Sequence, residues 1–421
     1  MTNASKIWAM GAAFIVVAPL STSGGAVVVL KSLRLRIPVL AFYVSVSKNK
    51  LPERLEGARS LFHFVLLFTF AALWSDYPVM GMVNKGMLFF TVMTGLAMSY
   101  SAVSAKDLLK KLNMIGYVGG ASSLTLAYVF INNKEENLAG DRLAVAGMNA
   151  NTIGAAGALL LLLAVYLIFK PGKNIHKVVH LSSAVFLLAI VLGTGSRGAL
   201  LMSTVGLFFV LKPILSKNAM SIFVVCLIPF VVLQIYGAIS ADEDTVTPGI
   251  DRLANMSMET ENTRSGMWNW TIKKFNESPV IGKGWLSWGG TSSANTHNIY
   301  LHVLAESGVI GGVLFSVMLF RLFSVYRMNT SSLKAGMDPC EFTPLGAGIL
   351  ASVLVHGMVE SSTLLGSSTN ALFLGISVGL MDRANVLDND DRSPLKVEKD
   401  RYHPWAFQRD QNSPENPLTS N

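Results

Sequence analysis

Residues 152–169 read TIGAAGALLLLLAVYLIF, with no charge from end to end. At a rise of 1.5 Å per residue a helix over this stretch is ~27 Å long, close to the hydrocarbon core of a bilayer at roughly 30 Å. Working outward from it, comparable apolar runs lie near 7–30, 36–47, 61–75, 78–100, 108–131, 176–193, 198–216, 219–240, 298–324, 344–359 and 366–381. The chain is 51% apolar and 14% charged, which excludes a soluble domain. The expected fold is all-α, a polytopic integral membrane protein of about twelve transmembrane helices with one long outer connection. The 36–47 run is short, and 61–75 almost touches 78–100, so the count near the N-terminus is open by one or two. The opening run after Lys6 has the form of a signal peptide, but the further apolar segments favour a retained first helix.

Basic residues orient the bundle. With the N-terminus inside, alternate loops carry Lys48, Lys50, Arg54 and Arg59; Lys106, Lys110 and Lys111; Lys170, Lys173 and Lys177; Lys212 and Lys217; and Arg321, Arg327 and Lys334. Those loops are expected in the cytoplasm. The loops around Ser75–Tyr77, Gly193–Gly198 and Glu360–Ser362 hold one basic residue, Arg197, and are expected outside. Lys31, Arg34 and Arg36 contradict the first outer loop. The formal charge of +8 is spread over short loops rather than gathered on a face, which speaks against nucleic acid as a partner and for membrane lipids. Cys226 and Cys340 fall at different expected depths, so no disulfide between them is expected. The chain divides into N-terminal membrane helices over 1–240, about nine of them, a loop domain over 241–297, C-terminal membrane helices over 298–385, about three, and a polar tail over 386–421 expected to be disordered in the cytoplasm. It shows no internal repeat.

Three places on the expected outer side could carry chemistry. Arg197 lies in the turn Gly193-Thr-Gly-Ser-Arg-Gly198, where it either snorkels to the headgroups or meets an anion that the glycines allow to approach. Arg264, Trp268, Thr271 and Phe275 recur at helical spacing within the long connection, which predicts a short interfacial helix. There a guanidinium beside an indole suits a phosphate or a sugar, although an aromatic belt is the commoner use of tryptophan at that depth. Pro279, Gly282, Lys283 and Gly284 follow. His297-Asn298 opens the next span, while His302 and Glu306, four residues apart on one face, are expected to form a satisfied intramembrane pair. Lys85 and His356 are intramembrane ionisable residues to which the sequence gives no role. No cofactor or metal is expected: the outer side lacks a Cys cluster, a paired His motif and a phosphate-cradling loop, and Asp242, Glu243 and Asp244 stand without further ligands. The Asn-x-Ser/Thr triplets at Asn255, Asn269 and Asn276 carry little weight in so polar a loop.

Taken in order, Ser196-Arg197-Gly198, Arg264 with Trp268, Pro279-x-x-Gly282-x-Gly284, and His297-Asn298 with Glu306-x-Gly308-x-x-Gly311 resemble the O-antigen ligase and O-antigen polymerase superfamily. Gly140-Asp-Arg142 and Gly147-Met-Asn-Ala-Asn151 are similar to that family's upstream Arg and Asn-Pro-Asn element, with Ala150 in place of the proline. The resemblance runs over about residues 140–312. It implies a helical bundle with a periplasmic loop over a lipid-facing cavity, in the bacterial inner membrane. It also implies transfer of a glycan from an undecaprenyl pyrophosphate-linked donor to an acceptor such as lipid A core or another glycan. On that basis Arg197 and Arg264 hold the pyrophosphate and His297 orients or deprotonates the acceptor hydroxyl, with Arg142, Trp268, Lys283 and Asn298 as further substrate contacts. Ligases, polymerases and protein O-oligosaccharyltransferases share these motifs, so the acceptor stays open. A transporter would share the helix count but usually shows repeated halves, and a sensor would need neither the arginines nor the histidine.

Overall fold

The computed structural model describes residues 3–20, 36–41, 56–132, 149–213, 263–288, 292–334, 342–361 and 368–383. The expected span at 219–240, Arg142, Cys226, Cys340, the acidic start of the long connection and the polar tail lie outside these residues. The described residues form α1 (Asn3–Leu20), α2 (Glu56–Phe70) running into a 3-10 turn (Ala71–Trp74), α3 (Pro78–Tyr100), α4 (Ala105–Asn132), α5 (Ala150–Ile168), α6 (Asn174–Gly193) and α7 (Arg197–Leu211). They continue with α8 (Thr263–Glu277), a two-residue ladder of β1 (Ser287–Trp288) with β2 (Ser292–Ser293), α9 (Ile299–Lys334), α10 (Thr343–Gly357) and α11 over 369–383. Pro78 sits in the first turn of α3, where its missing N–H costs nothing, and this separates the two runs that almost touch in the sequence.

Among the described residues, five stretches are long and apolar enough to cross a membrane: Glu56–Trp74, Pro78–Tyr100, Ala150–Ile168, Asn174–Gly193 and Ile299–Thr330. Arg197–Leu211 and Thr343–Gly357 are shorter apolar helices. Val309, Val313, Val317 and Phe320 leave a greasy stripe exposed along α9, as Val178, Leu181 and Val185 do along α6. Exposed apolar stripes at helical spacing are what lipid rather than water would cover. Two cores lie inside the bundle. One gathers α1, α4, α5, α6 and α7, the other α2, α3 and α9, and α10 with α11 contributes to both.

Two packing devices set the positions that matter for function. First, α7 and α10 run antiparallel in close contact at four-residue steps. A Cβ on Gly348 would lie 2.8 Å from the Gly206 carbonyl oxygen, the Ser352 hydroxyl donates to the Met202 carbonyl at 2.7 Å, and a Cβ on Gly198 would lie 3.0 Å from His356 Cδ2. Small residues let the backbones approach, and the register carries Arg197 at the start of α7 to His356 at the end of α10. Second, α9 is kinked at Gly308, whose φ of 63° and ψ of −164° are not helical. The kink frees backbone groups, and the 279–284 loop takes them up. Val309 N–H donates to the Pro279 carbonyl at 2.8 Å and Ile310 N–H to Val280 at 3.2 Å, while Lys283 and Gly284 N–H donate to Ala305 and Glu306 at 2.8 and 2.9 Å. A break in an apolar helix persists only where such partners exist.

Among the described residues, the turns at 75–77, 193–198 and 360–361 and the 279–286 loop, which the basic-residue pattern assigns to one side, gather at one end of the bundle. Trp74 Nε1 donates to the Ile281 carbonyl at 3.1 Å, and Asn151 Nδ2 to Glu360 Oε2 at 3.3 Å. At the opposite end Asp382 accepts from the N–H groups of Gly57 and Ala58 at 3.1 and 2.7 Å and from the Tyr100 hydroxyl at 3.1 Å. Arg383 there donates to the Tyr100 and Ala102 carbonyls at 2.7 and 2.6 Å.

Candidate functional site

Four helix ends meet at the end of the bundle that carries the 279–286 loop. Asn149 caps α5, its side chain accepting from Asn151 N–H at 2.8 Å, and Gly154 lets the α6–α7 turn sit close above it. Ser196 caps α7 by accepting from Ala199 N–H at 3.3 Å, so Arg197 is the first helical residue and its side chain is exposed. Asn298 caps α9, its Oδ1 accepting from Tyr300 and Leu301 N–H at 3.0 and 3.1 Å. The fourth end is that of α10, which delivers His356, Glu360 and Ser361.

His297 lies just before α9 rather than on it. Its φ of 51° makes it the one non-glycine residue with positive φ among the described residues, a backbone conformation that costs about 1–2 kcal/mol outside glycine. Its N–H donates to Asn295 Oδ1 at 3.0 Å, and the Ser361 hydroxyl donates to the same oxygen at 2.6 Å. So held, the imidazole directs Nδ1 to Glu360 Oε2 at 3.3 Å, with the ring 29% exposed and the carboxylate 3%. Burial alone would push the Glu360 carboxyl up. The hydrogen bond and charge of His297, a hydrogen bond from Asn295 and the charge of His356 outweigh that and hold it below the ordinary carboxylate range. The Arg264 guanidinium, in the first turn of α8, is close enough for its charge to act on His356.

Arg264 and His297 therefore lie at the His356–Glu360 end of α10, and the N-terminus of α7, which carries Arg197, packs against His356 there. Trp268 lies one turn after Arg264 and is half-buried. Asn298 lies beside His297 with its side-chain oxygen committed to the helix cap. Lys283 sits elsewhere: its ammonium is 3.1 Å from Glu277, which Lys274 also pairs at 3.0 Å. These two hydrogen-bonded ammonium groups hold the Glu277 carboxyl below its usual range. Glu277 ends α8, and thirteen residues of helix put it roughly 20 Å from Arg264. Arg142 lies outside the described residues.

Glu360 and His356 are the site residues that the sequence reading passed over. From the sequence Glu360 is only part of a short turn. The signal that could have found it is the four-residue repeat Gly348, Ser352, His356, Glu360 along one face, matching Gly206, Met202 and Gly198 on α7. His302 and Glu306 do form the expected buried pair, with His302 Nε2 2.9 Å from Glu306 Oε1, and Lys85 from α3 is ion-paired to Glu306 Oε2.

In chemical terms the arrangement offers two guanidinium groups for an anion, a partly exposed imidazole, and a buried carboxylate behind it that orients the ring. Comparison with curated proteins finds no match. Residues 182–316 match the O-antigen ligase family, a segment that runs from α6 to α9 and includes Arg197, Arg264 and His297. Over that segment, about a third of the chain, the protein is similar to the O-antigen ligase family, and its described residues include helices long and apolar enough to cross a membrane.

Proposed function

We propose that the protein transfers a glycan from an undecaprenyl pyrophosphate-linked donor to an acceptor hydroxyl, on lipid A core or another glycan, at the periplasmic side of the bacterial inner membrane. One observation carries this: His297, made to face Glu360 by a strained backbone, stands in the same group as Arg197 and Arg264. With the proton on Nδ1, the nitrogen turned to the Glu360 carboxylate, the Nε2 lone pair is left for the acceptor. As the acceptor oxygen bonds to the anomeric carbon its proton passes to Nε2. The bond from that carbon to the phosphate oxygen breaks, and its electron pair leaves on pyrophosphate. The guanidinium groups of Arg197 and Arg264 neutralise the charge that develops there. Trp268 offers an indole face to a sugar and the Asn298 amide nitrogen a donor. Lys283 and Arg142 would meet donor phosphate or glycan at the margin.

Because the positive charge comes from arginine, transfer is proposed to need no divalent metal. With a base but, among the described residues, no nucleophile beside it, transfer is proposed to be a single displacement that inverts the anomeric configuration. Purified protein with lipid-linked donor and lipid A core in excess chelator tests this. Arg197→Ala, Arg264→Ala and His297→Ala are each expected to lose transfer by a factor of about 100 or more, with the new linkage inverted by NMR coupling constants. Normal transfer by any of these variants removes that residue from the site, and activity that magnesium restores after chelation removes the metal-free reading. Product on a growing polymer or a protein hydroxyl instead of lipid A core would reassign the acceptor.

A further inference from the structure

Behind His297 lies a line of buried polar groups with no part in the displacement just described. Lys85, His302 and Glu306 are each at most 2% exposed. Lys85 is ion-paired to Glu306 Oε2 and lies 3.9 Å from the centre of the Phe68 ring. Glu306 Oε1 accepts from Leu286 N–H at 3.0 Å and faces His302 Nε2 at 2.9 Å. The other nitrogen of that ring, Nδ1, is 3.3 Å from the Thr296 hydroxyl, which donates to the Asn298 carbonyl at 2.9 Å. With Nε2–H turned to the Glu306 carboxylate, Nδ1 holds the lone pair, and the Thr296 hydroxyl hydrogen lies between it and the Asn298 carbonyl.

The Thr296–Asn298 bond is the decisive contact, because it closes across His297. A non-glycine residue in the left-handed region stays there only where its surroundings over-determine it. On one side Asn295 holds the His297 N–H; on the other, Thr296 bridges to the carbonyl beyond it. Thr296 is itself anchored through His302 to a carboxylate with both oxygens engaged. An ion pair this buried is a poor source of stability, since desolvation offsets most of the attraction. It does fix geometry, because each member has a single low-energy arrangement once its partners are set.

We propose that Lys85, Glu306, His302 and Thr296 form a positioning relay that holds His297 in its left-handed conformation against Glu360, so that a charge pair between α3 and α9 sets the orientation of the catalytic imidazole. The inference rests on the catalytic role proposed for His297, but the geometric part can be read without it. In full-length protein in detergent, diethyl pyrocarbonate modification of individual histidines is followed by mass spectrometry of their peptides. His297 is the probe, and exposed His176, on α6, is the internal control. Thr296→Val and Glu306→Gln are each expected to speed His297 modification by roughly tenfold, the release of about 1.4 kcal/mol of positioning, with the His176 rate unchanged. Transfer should fall through kcat by a similar factor, with KM for the lipid-linked donor kept within about twofold.

An unchanged His297 rate in both variants overturns the relay, even if transfer falls. A faster His297 rate with normal transfer upholds the relay and instead removes His297 from the chemistry. Should Glu306→Gln fail to insert, the neutral pair Lys85→Met with Glu306→Gln carries the same test, and Thr296→Val touches no charge at all.

Discussion

At the scale of single residues, the sharpest expectation concerns Glu360. Glu360→Gln keeps the size of the side chain and removes the charge that faces His297 and His356. Transfer should drop by about 10–100-fold, less than on loss of His297 itself, because the amide still holds the ring but favours neither its tautomer nor its imidazolium. The pH dependence of stability has a definite sign. The folded carboxyl titrates below its unfolded value of ~4.3, so its contribution is complete above that value and is lost as pH falls toward the folded one. The stability difference between wild type and Glu360→Gln, followed by thermal unfolding in detergent, should shrink as pH falls below about 4. A difference that grows as pH falls below about 4 would contradict the pairing. Arg264→Lys is expected to retain part of the transfer rate, since an ammonium keeps the charge but not the two-pronged grip on phosphate oxygens. Arg197, Arg264 and His297 stand out in the sequence as candidates because a charge beside an apolar run needs a reason. Glu360 does not, because a lone carboxylate in a short turn gains meaning only when α7 and α10 are seen side by side.

Among the elements, the kinked α9 and the α7–α10 contact make separate predictions. Gly308 has positive φ, and a Cβ there would lie 2.6 Å from Gly282 N. Gly308→Ala should therefore cost about 2–3 kcal/mol and lower the melting temperature, whereas Gly86→Ala, with no heavy atom within 4 Å of its Cβ position, should not. Gly348→Val should force α7 from α10 and depress transfer while Arg197 and His356 are both still present; normal transfer by that variant would show that the close contact does not set the site. Helix positions were largely readable: the runs at 78–100 and 176–193 correspond to Pro78–Tyr100 and Asn174–Gly193. The kink was not, because the apolar run 298–324 gives no sign of it. Its cause is tertiary, a loop of preceding sequence that exchanges backbone hydrogen bonds with Ala305–Ile310.

For the molecule as a whole the basic-residue pattern makes the remaining prediction. In a Cys226→Ser, Cys340→Ser background, a cysteine at Val280, 60% exposed, should react with an impermeant maleimide while the inner membrane is intact, and one at Lys173 only after it is opened. The reverse order would invert the topology. Among the described residues, those that sequence reading put on the outer side lie at one end of the bundle; which helices touch depends on small residues whose partners are distant in the chain. That distance has a consequence for how the protein is made. The junction of the 279–284 loop with α9 joins residues some two dozen positions apart, so it can form soon after that segment leaves the ribosome. The contact of Gly198 with His356 waits until α10 has been synthesised and inserted. During biogenesis the histidine is thus in place before the carboxylate that aims it. A chain cut after Lys334 should keep a protease-resistant loop and its strained His297 yet transfer nothing, so an incomplete product in the membrane stays inert until its last helices arrive.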